Sequence, residues 1–207
     1  MRMNEDASNE NRENQQADQK ETNPSYLQRL RHSEYRGFAV VHWALTIHER
    51  KTGWLDNVFH LRFREMLVHT GARYGVCSPI YCLMPDHLHL LWIGFRADAD
   101  QRLAMKFFRT QINRVLGTAS SCECFKLQKQ GYDHVLRDDN ERDPDGIGDV
   151  AAYIRANPVR GGLCEGSTEY PYAGCMVPGY PDLDIDDEEY WELFWRIFWI
   201  IRVEEGR

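Results

Sequence analysis

The spacing of apolar and polar residues along the chain predicts an alternation of strands and helices. Runs rich in β-branched and aromatic residues are typical of strands, and apolar residues mixed with charges at helical spacing are typical of helices. We predict strands over 38–48, 76–84, 87–95 and 125–136, helices over 55–74 and 100–116, and a short further helix over 148–157. The first six elements follow the β-α-β-β-α-β order of the ferredoxin-like fold, an α+β class with an antiparallel sheet and, in our prediction, helices on one face.

The strand over 87–95 carries two histidines that are two residues apart. Residues at this spacing on a strand point to the same face of the sheet, so the imidazoles of His87 and His89 should project together. Two such rings can hold one divalent cation. The residues around the pair are apolar, so imidazoles with neither a hydrogen-bond partner nor a metal ion would carry a desolvation cost. A purely structural histidine pair remains the alternative.

The short helix over 148–157 carries Tyr153 and Asn157 on one face, because residues four apart on a helix are neighbours. Asp149 can cap its start, and Pro158 disfavours the α conformation at the residue before it, which predicts that the helix ends at Asn157. A phenol would then lie beside a carboxamide whose oxygen is a suitable ligand for Mg²⁺ or Mn²⁺. A core tyrosine followed by an asparagine that caps the helix would give the same pattern.

The composition is that of one globular domain, with 207 residues of which 43% are hydrophobic, enough to bury a core. The N-terminus has no apolar signal stretch, and no segment reaches the roughly 20 apolar residues of a spanning helix. We therefore expect no membrane span and a cytoplasmic location. The six cysteines contain no Cys-x2-Cys pair, which argues against a zinc framework and favours reduced thiols.

The net charge of −7 is concentrated in the two ends of the chain. Residues 1–24 carry three basic and six acidic side chains, residues 182–207 carry three and nine, and the segment between them therefore has a net charge of +2. Binding of an anionic partner such as DNA depends on local rather than total charge. The acidic total does not exclude a nucleic-acid-binding protein.

The chain divides into three parts on this basis. Residues 1–24 are polar with few large apolar residues, so we predict a disordered acidic tail. Residues 25–181 form the predicted domain, and 182–207 form an acidic and then aromatic extension.

The apolar part of the extension, 191–202, would be unstable alone in water. We therefore expect it to dock on the domain or on a second subunit, with a membrane-surface anchor as the alternative. The acidic lead-in could also compete with DNA for basic surface.

Basic residues recur at helical spacing in the helix over 100–116. Arg102, Lys106 and Arg109 form a stripe that could follow a nucleic-acid backbone, although a solvated helix face explains it equally well. Arg155 and Arg160 lie beside Tyr153 in sequence and are the stronger candidates for contacts to DNA phosphates.

Four segments occur together in a characteristic order. They are Met84-Pro-Asp-His-Leu-His-Leu-Leu91, Gln130-Gly-Tyr-Asp-His-Val-Leu-Arg137, Tyr153-x3-Asn157-Pro-Val-Arg160, and Glu169-Tyr-Pro-Tyr-Ala-Gly174. This combination resembles the IS200/IS605-like single-tyrosine transposases, which have the HUH motif, and within them the REP-associated branch. The resemblance covers roughly residues 34–181.

The resemblance implies a ferredoxin-like domain with an added C-terminal helix that bears the nucleophile Tyr153. It also implies that His87, His89 and Asn157 hold Mg²⁺ or Mn²⁺, and that the substrate is single-stranded DNA beside a hairpin. Cleavage would give a 5′-phosphotyrosine intermediate, in a protein that acts as a monomer or a homodimer. A metal-dependent hydrolase that uses water and a hairpin-binding protein without catalysis remain as alternatives.

Some positions depart from the family pattern or have no settled role. Asn157 stands where the IS200 branch usually has glutamine, which points to the REP-associated branch. Residues 138–149 replace what is often a more regular helical lead-in, and their proline and glycines predict a flexible hinge. Tyr132, Tyr170 and Tyr172 are possible platforms for base stacking, and His134 could assist the site, but packing roles explain all four residues as well.

Overall fold

The computed structural model of this chain describes residues 29–118, 125–137 and 139–204. The disorder predicted for 1–24 falls outside these residues. Within them, five strands form one antiparallel sheet in the order β4-β1-β3-β2-β5. The strands are β1 (Val40–Thr46), β2 (Val76–Met84), β3 (His87–Gly94), β4 (Tyr132–Leu136) and β5 (Ala173–Met176).

The helices are α1 (Asn57–Tyr74), α2 (Gln101–Leu116), α3 (Asp139–Arg142), α4 (Pro144–Arg160) and α5 (Tyr190–Glu204). An aspartate caps the start of α1, α2 and α4. Asp56 accepts the N–H of Phe59, Asp100 accepts those of Arg102 and Leu103, and Asp143 accepts that of Gly146. These carboxylates satisfy N–H groups that have no partner within the helix.

The two faces of the sheet carry separate layers. On one face, α1 and α2 pack against alternate residues of β1 and β3. The rings of Trp92 in β3 and Phe108 in α2 meet edge to face there, with their centroids 5.6 Å apart. On the other face, α4 and α5 pack against the intervening residues, so that Leu91 and Ile93 lie with Ile154 of α4 and Phe194 of α5. The predicted ferredoxin-like fold is confirmed, and α4 is the added helix that bears Tyr153.

The sheet differs from the prediction at both of its edges. The fourth strand begins at Tyr132 rather than at 125, because residues 125–131 contact the end of β1 only locally: Leu127 bridges Ile47, and Gln128 donates to the Thr46 carbonyl. The short strand β5, at the edge beside β2, was not predicted. Its four residues are too few to show a period in the sequence.

The hinge predicted over 138–149 is wrong for the part that the structure describes. Residues 139–142 form α3, and α4 begins at Pro144, with Gly146 and Gly148 inside the helix. Asp143 caps α4, not Asp149 as predicted. Proline is favoured in the first turn of a helix, where its missing N–H costs no hydrogen bond. Asp143-Pro144 therefore starts the helix despite the two glycines that follow.

The aromatic part of the extension docks on the domain, which was one of the predicted alternatives. Phe194, Ile197 and Phe198 of α5 are buried, and the Tyr190 hydroxyl donates to the Pro79 carbonyl. Trp199 and Ile200 on the outer side are exposed. In the part of the chain that the structure describes, no helix is long and apolar enough to cross a bilayer.

Candidate active site

Three histidines meet on the face of the sheet that α4 covers. The ring centroids of His87 and His89 lie 4.9 Å apart, as their spacing on one strand predicts. His42, from the neighbouring strand β1, lies 5.1 Å from His89 between ring centroids. The pairing of β1 with β3 sets His42 opposite Leu91 and Ala44 opposite His89, which makes His42 a diagonal neighbour of His89.

A hydrogen bond joins His42 and His89. The Nε2 atom of His42 lies 3.0 Å from Nδ1 of His89, and both residues are buried. Burial lowers the pKa of His42 to about 4, with a smaller contribution from the charge of His134. Burial also lowers the pKa of His89 to about 3, and the neighbouring imidazoles add to the effect. Both rings are therefore neutral at pH 7.

This neutral pair predicts that acid destabilises the fold. The pKa of an imidazole in the unfolded chain is near 6.5, above the folded values of about 4 and about 3, so the unfolded state binds more protons between these limits. The contribution of these two imidazoles to the free energy of unfolding is fully present above about pH 6.5. It is lost as the pH falls towards the folded pKa values. We expect the free energy of unfolding of the metal-free protein, measured with urea, to fall by roughly 2–4 kcal/mol between pH 7.5 and pH 5 because of this pair.

The variant His42→Gln should show a shallower decrease over the same pH range, because one of the two buried imidazoles is gone. An equal decrease in the two proteins would contradict the assignment of the pH dependence to this pair.

His87 has a charged partner instead. Its Nδ1 atom lies 2.6 Å from Oδ1 of Asp86, and the other carboxylate oxygen accepts from Arg50 at 2.7 Å. Burial alone would raise the pKa of Asp86, but the hydrogen bonds from His87 and Arg50 outweigh it and lower that pKa below its usual value. Asp86 therefore stays ionised and holds the His87 ring by Nδ1.

The turn between β2 and β3 is fixed by the segment that follows β1. The indole N–H of Trp54 donates to the Pro85 carbonyl at 2.6 Å, and the backbone N–H of Ile47 donates to the Asp86 carbonyl at 2.9 Å. Glu49 and Arg50 both have positive φ angles, 59° and 52°, which is uncommon for residues other than glycine. This backbone path brings the Arg50 guanidinium to Asp86.

Tyr153 lies above the histidines of its own chain. The centroid of its ring is 6.0 Å from that of His89 and 6.1 Å from that of His42, and the side chain is 45% exposed. The guanidinium carbon of Arg160 lies 5.0 Å from the centre of the phenol ring. One helix thus presents an accessible phenol and a cation next to the imidazole cluster.

The helix continues past Pro158, so the predicted end at Asn157 is wrong. Pro158 has no N–H, and the Ile154 carbonyl lacks its usual donor. The side-chain amide nitrogen of Asn157 compensates, lying 3.3 Å from the Ile154 carbonyl oxygen and 2.9 Å from that of Tyr153. With this nitrogen used inside the helix, the amide oxygen is the atom that Asn157 can offer to a cation.

Two contacts of α4 with the sheet lie on either side of Asn157 along the chain. Tyr153 lies over His42 and His89, and Gly161 just after the helix approaches Met84, since a Cβ there would stand 3.2 Å from the Met84 methyl carbon. Met84 pairs with His87 across the sheet. Asn157 lies between these two points on the helix.

The five basic residues predicted to bind DNA fall in three places. Arg160 lies at the phenol, whereas Arg155 turns to the other side of α4 and forms an ion pair with Asp186 of the acidic lead-in. The stripe on α2 lies in the layer on the opposite face of the sheet from Tyr153. It borders a cavity of about 430 Å³ lined by Arg29, Arg102, Met105, Lys106, Arg109, Lys129 and Gln130.

Within the stripe, Arg109 already has partners, because its guanidinium donates to the carbonyls of Gln128 and Lys129. Arg102 and Lys106 are exposed. The stripe therefore combines a structural arginine with two solvent-facing cations.

The three tyrosines predicted as stacking platforms differ in how deeply they are buried, and His134 has a charged neighbour. Tyr132 is 52% exposed on the edge strand β4, whereas Tyr170 is buried and its hydroxyl donates to the Leu83 carbonyl at 2.6 Å. Tyr172 is half-buried against the ring of His60. His134 pairs with His42 in register and lies 3.3 Å from the Glu141 carboxylate. Only Tyr132 among the three tyrosines presents an open ring to a base.

The orientation of the two imidazoles suits ligation of a divalent cation. Ligating histidines usually have the second ring nitrogen held by a hydrogen bond, and here Nδ1 of both His87 and His89 is held, which leaves each Nε2 available. Among the described residues, no cluster of three or more histidine, cysteine, aspartate or glutamate side chains could hold a metal. A third protein ligand at the two histidines would therefore have to be an atom of another kind, such as an amide or carbonyl oxygen.

Comparisons with known proteins agree with the motifs. No model of a protein family matches the chain. It is 25% identical over 142 residues, 63% of this chain and 76% of the relative, to a Haemophilus influenzae protein that bears the name of a REP-associated tyrosine transposase. Its fold resembles a solved REP-associated tyrosine transposase bound to a REP hairpin, with a TM-score of 0.57, 16% identity, and coverage of 72% of this chain and 81% of the other. The resemblance to REP-associated tyrosine transposases is confirmed.

Proposed function

We propose that this chain is a tyrosine transposase of the REP-associated kind, or a domesticated relative, that cuts and rejoins single-stranded DNA beside a hairpin. The observation that supports this most is the position of Tyr153, whose ring lies 6.0 Å from that of His89 in the same chain. The related protein of known structure is bound to a REP hairpin. We extend that class of partner to this chain.

The proposed reaction begins with attack by the phenolic oxygen of Tyr153 on the scissile phosphorus. The bond from Oη to phosphorus forms as the bond from phosphorus to the 3′-oxygen breaks, and the phenolic proton ends on that 3′-oxygen. One DNA end is then joined to Tyr153 through its 5′-phosphate, and the other carries a free 3′-hydroxyl. Because phenol is a stronger acid than an alcohol, a 3′-hydroxyl can displace Tyr153 again and rejoin the DNA without ATP.

His87, His89 and Asn157 are the residues that would hold Mg²⁺ or Mn²⁺. When bound, such a cation polarises the phosphate and offsets the negative charge that develops during phosphoryl transfer. The chain itself orients both imidazoles, through Asp86 for His87 and His42 for His89, and burial keeps the His89 ring neutral. Both features favour ligation, because a protonated imidazole cannot bind a metal ion.

The basic residues would act at different distances from the scissile phosphate. Arg160 lies over the phenol and can pair with a phosphate of the strand being cut. Arg102 and Lys106, on the far side of the sheet, could reach only a more distant part of a folded hairpin. Arg109, whose Nη2 already donates to two backbone carbonyls, would contact DNA there only through its remaining N–H groups. Arg155 would contact DNA only after release from Asp186, which agrees with competition between the acidic lead-in and DNA. Tyr132 is available for stacking by an unpaired base.

We further propose that residues 25–181 form the catalytic domain and that the extension, 182–207, supports the Tyr153-bearing helix through its described residues, 182–204. Both α4 and α5 pack in one core on the same sheet face, and Tyr153 lies at the histidines of its own chain. A monomer is then sufficient for catalysis.

Sufficiency of one chain can be tested by mixing inactive variants. A Tyr153→Phe chain and a His87→Ala chain lack different parts of the site, and exchange of tyrosine helices between subunits would rebuild one complete site. We expect the mixture to cleave hairpin DNA no faster than either variant alone, because each chain supplies its own tyrosine. Recovery of cleavage in the mixture, together with a dimer in gel filtration, would contradict this expectation.

The proposed function itself is tested by a covalent-adduct assay. The protein is incubated with Mn²⁺ and a single strand carrying a hairpin, labelled at its 3′ end, and is then denatured. We expect a protein band that carries the label, since the 5′-phosphotyrosine link retains the 3′ fragment. A hydrolase that uses water would give repeated cleavage without this band, and a binding protein without catalysis would give neither.

A further inference from the structure

His42 is the polar residue of this cluster that the histidine motif does not include. It lies in the middle of the sheet, 9% exposed, and its Nε2 atom is 3.0 Å from Nδ1 of His89. Its ring also lies 6.1 Å from the ring of Tyr153. A buried imidazole in contact with both parts of the candidate site calls for a specific role.

The hydrogen bond between the two rings constrains their protons. A neutral imidazole has one N–H donor and one acceptor nitrogen, so one ring must donate to the other. If Nε2 of His89 is to bind a cation, it needs a free lone pair, and the proton of His89 must then be on Nδ1. In that state His89 donates to Nε2 of His42, which carries its own proton on Nδ1.

We propose that His42 is a positioning residue: by accepting the Nδ1–H of His89, it holds that ring in the tautomer and orientation in which Nε2 can bind the metal ion. This rests on the proposed function, in which His89 is a ligand. The hydrogen bond formed by one ring nitrogen decides the state of the other, and such partners of ligating histidines commonly change metal affinity 10- to 100-fold.

The chemical nature of the partner also fits the site. His87 has the carboxylate of Asp86 as its partner, at the partly exposed turn where Arg50 balances the charge. A second carboxylate at position 42 would be a buried negative charge close to Tyr153, where the phosphate of the substrate must bind. A neutral imidazole supplies the same acceptor without that charge.

The tautomer can be measured directly in the metal-free protein. Nitrogen-15 NMR of the histidine side chains distinguishes a protonated from an unprotonated ring nitrogen. We expect His89 to be protonated at Nδ1 and unprotonated at Nε2, with the bonding nitrogen of His42 unprotonated. The opposite result, in which His42 donates to an unprotonated Nδ1 of His89, would overturn the proposal.

Two substitutions separate positioning from packing. In His42→Gln the amide oxygen can still accept the Nδ1–H of His89, whereas His42→Leu fills the space without an acceptor. We expect His42→Leu to weaken Mn²⁺ binding, measured by calorimetry, about 10- to 100-fold, with the His89 proton redistributed between both nitrogens. His42→Gln should stay within a few-fold of the parent protein, as should the control His69→Gln on the exposed side of α1. Thermal unfolding in EDTA checks that each variant is folded.

The outcomes distinguish this proposal from the proposed function. Equal Mn²⁺ affinity in His42→Leu and the parent protein would overturn the positioning role even if the covalent adduct forms. Should the parent protein bind no Mn²⁺, the assignment of metal ligands fails, and the positioning role built on it falls as well. Failure of cleavage with normal Mn²⁺ binding and a protonated Nδ1 would leave His42 as the positioning residue and contradict only the proposed reaction.

Discussion

Substitution of Tyr153 by phenylalanine is expected to abolish the covalent adduct and to slow cleavage of hairpin DNA by at least about 10³-fold. The change removes only the hydroxyl oxygen that would attack phosphorus. The ring remains and can keep its contacts with His42, His89 and Arg160. Because the side chain is 45% exposed, the loss of the hydroxyl should change stability little. Hairpin affinity, measured by fluorescence anisotropy, should stay within about twofold of the parent protein.

A second tyrosine gives a matched control for this experiment. Tyr74 lies at the end of α1, in the layer on the other face of the sheet, and Tyr74→Phe should form the adduct at the normal rate. An adduct that persists in Tyr153→Phe would show that another residue is the nucleophile. Cleavage that persists without any adduct would favour attack by water and the hydrolase alternative.

The sequence was sufficient to predict the ferredoxin-like order and the facing histidines, because both depend on local periodicity. Alternation along one strand decides that His87 and His89 point the same way, whatever that strand pairs with. The role of His42 could not be predicted in this way. Its contact with His89 depends on the pairing of β1 with β3, which sets residues from distant parts of the chain side by side. A weaker signal was present, since His42 is a polar residue at an alternate position of an apolar strand.

In the Tyr153-bearing helix, a side-chain hydrogen bond from Asn157 offsets the helix-ending effect of Pro158. Proline after Asn157 predicted a helix end, yet the Asn157 amide takes over the carbonyl that Pro158 leaves without a donor. The Asn157 amide nitrogen donates to the Tyr153 and Ile154 carbonyls, so only the amide oxygen is left to bind a cation. One side chain thereby extends the helix and presents a candidate ligand, and neither effect is visible from residue propensities alone.

The charged candidates were harder to place because proximity in sequence does not give direction in space. Arg155 and Arg160 were both predicted to lie beside the site and contact DNA phosphates. However, two residues along a helix turn a side chain to the other side, whereas seven return it to the same face. Arg155 therefore meets Asp186 of the extension, and Arg160 meets the phenol. The position of the acidic lead-in could be known only from the docking of α5.

Hydrogen bonds link Arg50 to Asp86 and Asp86 to His87. We expect substitutions along this chain of contacts to slow cleavage more strongly the closer they lie to the proposed metal ion. His87→Ala removes a proposed ligand and should lower the cleavage rate by about 10³-fold or more, since metal assistance contributes several kcal/mol and each 1.36 kcal/mol is tenfold. Asp86→Asn weakens the partner of His87 and should lower apparent Mn²⁺ affinity about 10- to 100-fold. Arg50→Ala should have the smallest effect, because the Arg50 side chain is 68% exposed and water screens its ion pair.

Titration of the cleavage rate with Mn²⁺ checks this order. Excess Mn²⁺ should restore the rate of Asp86→Asn, in which both imidazoles remain, but should leave His87→Ala slow, because a missing ligand is not replaced by mass action. Hairpin affinity in EDTA should be similar in all three variants, since none removes a proposed DNA contact. The series would be contradicted if His87→Ala cleaved normally at low Mn²⁺, because the imidazole that Asp86 holds at 2.6 Å would then have no part in catalysis.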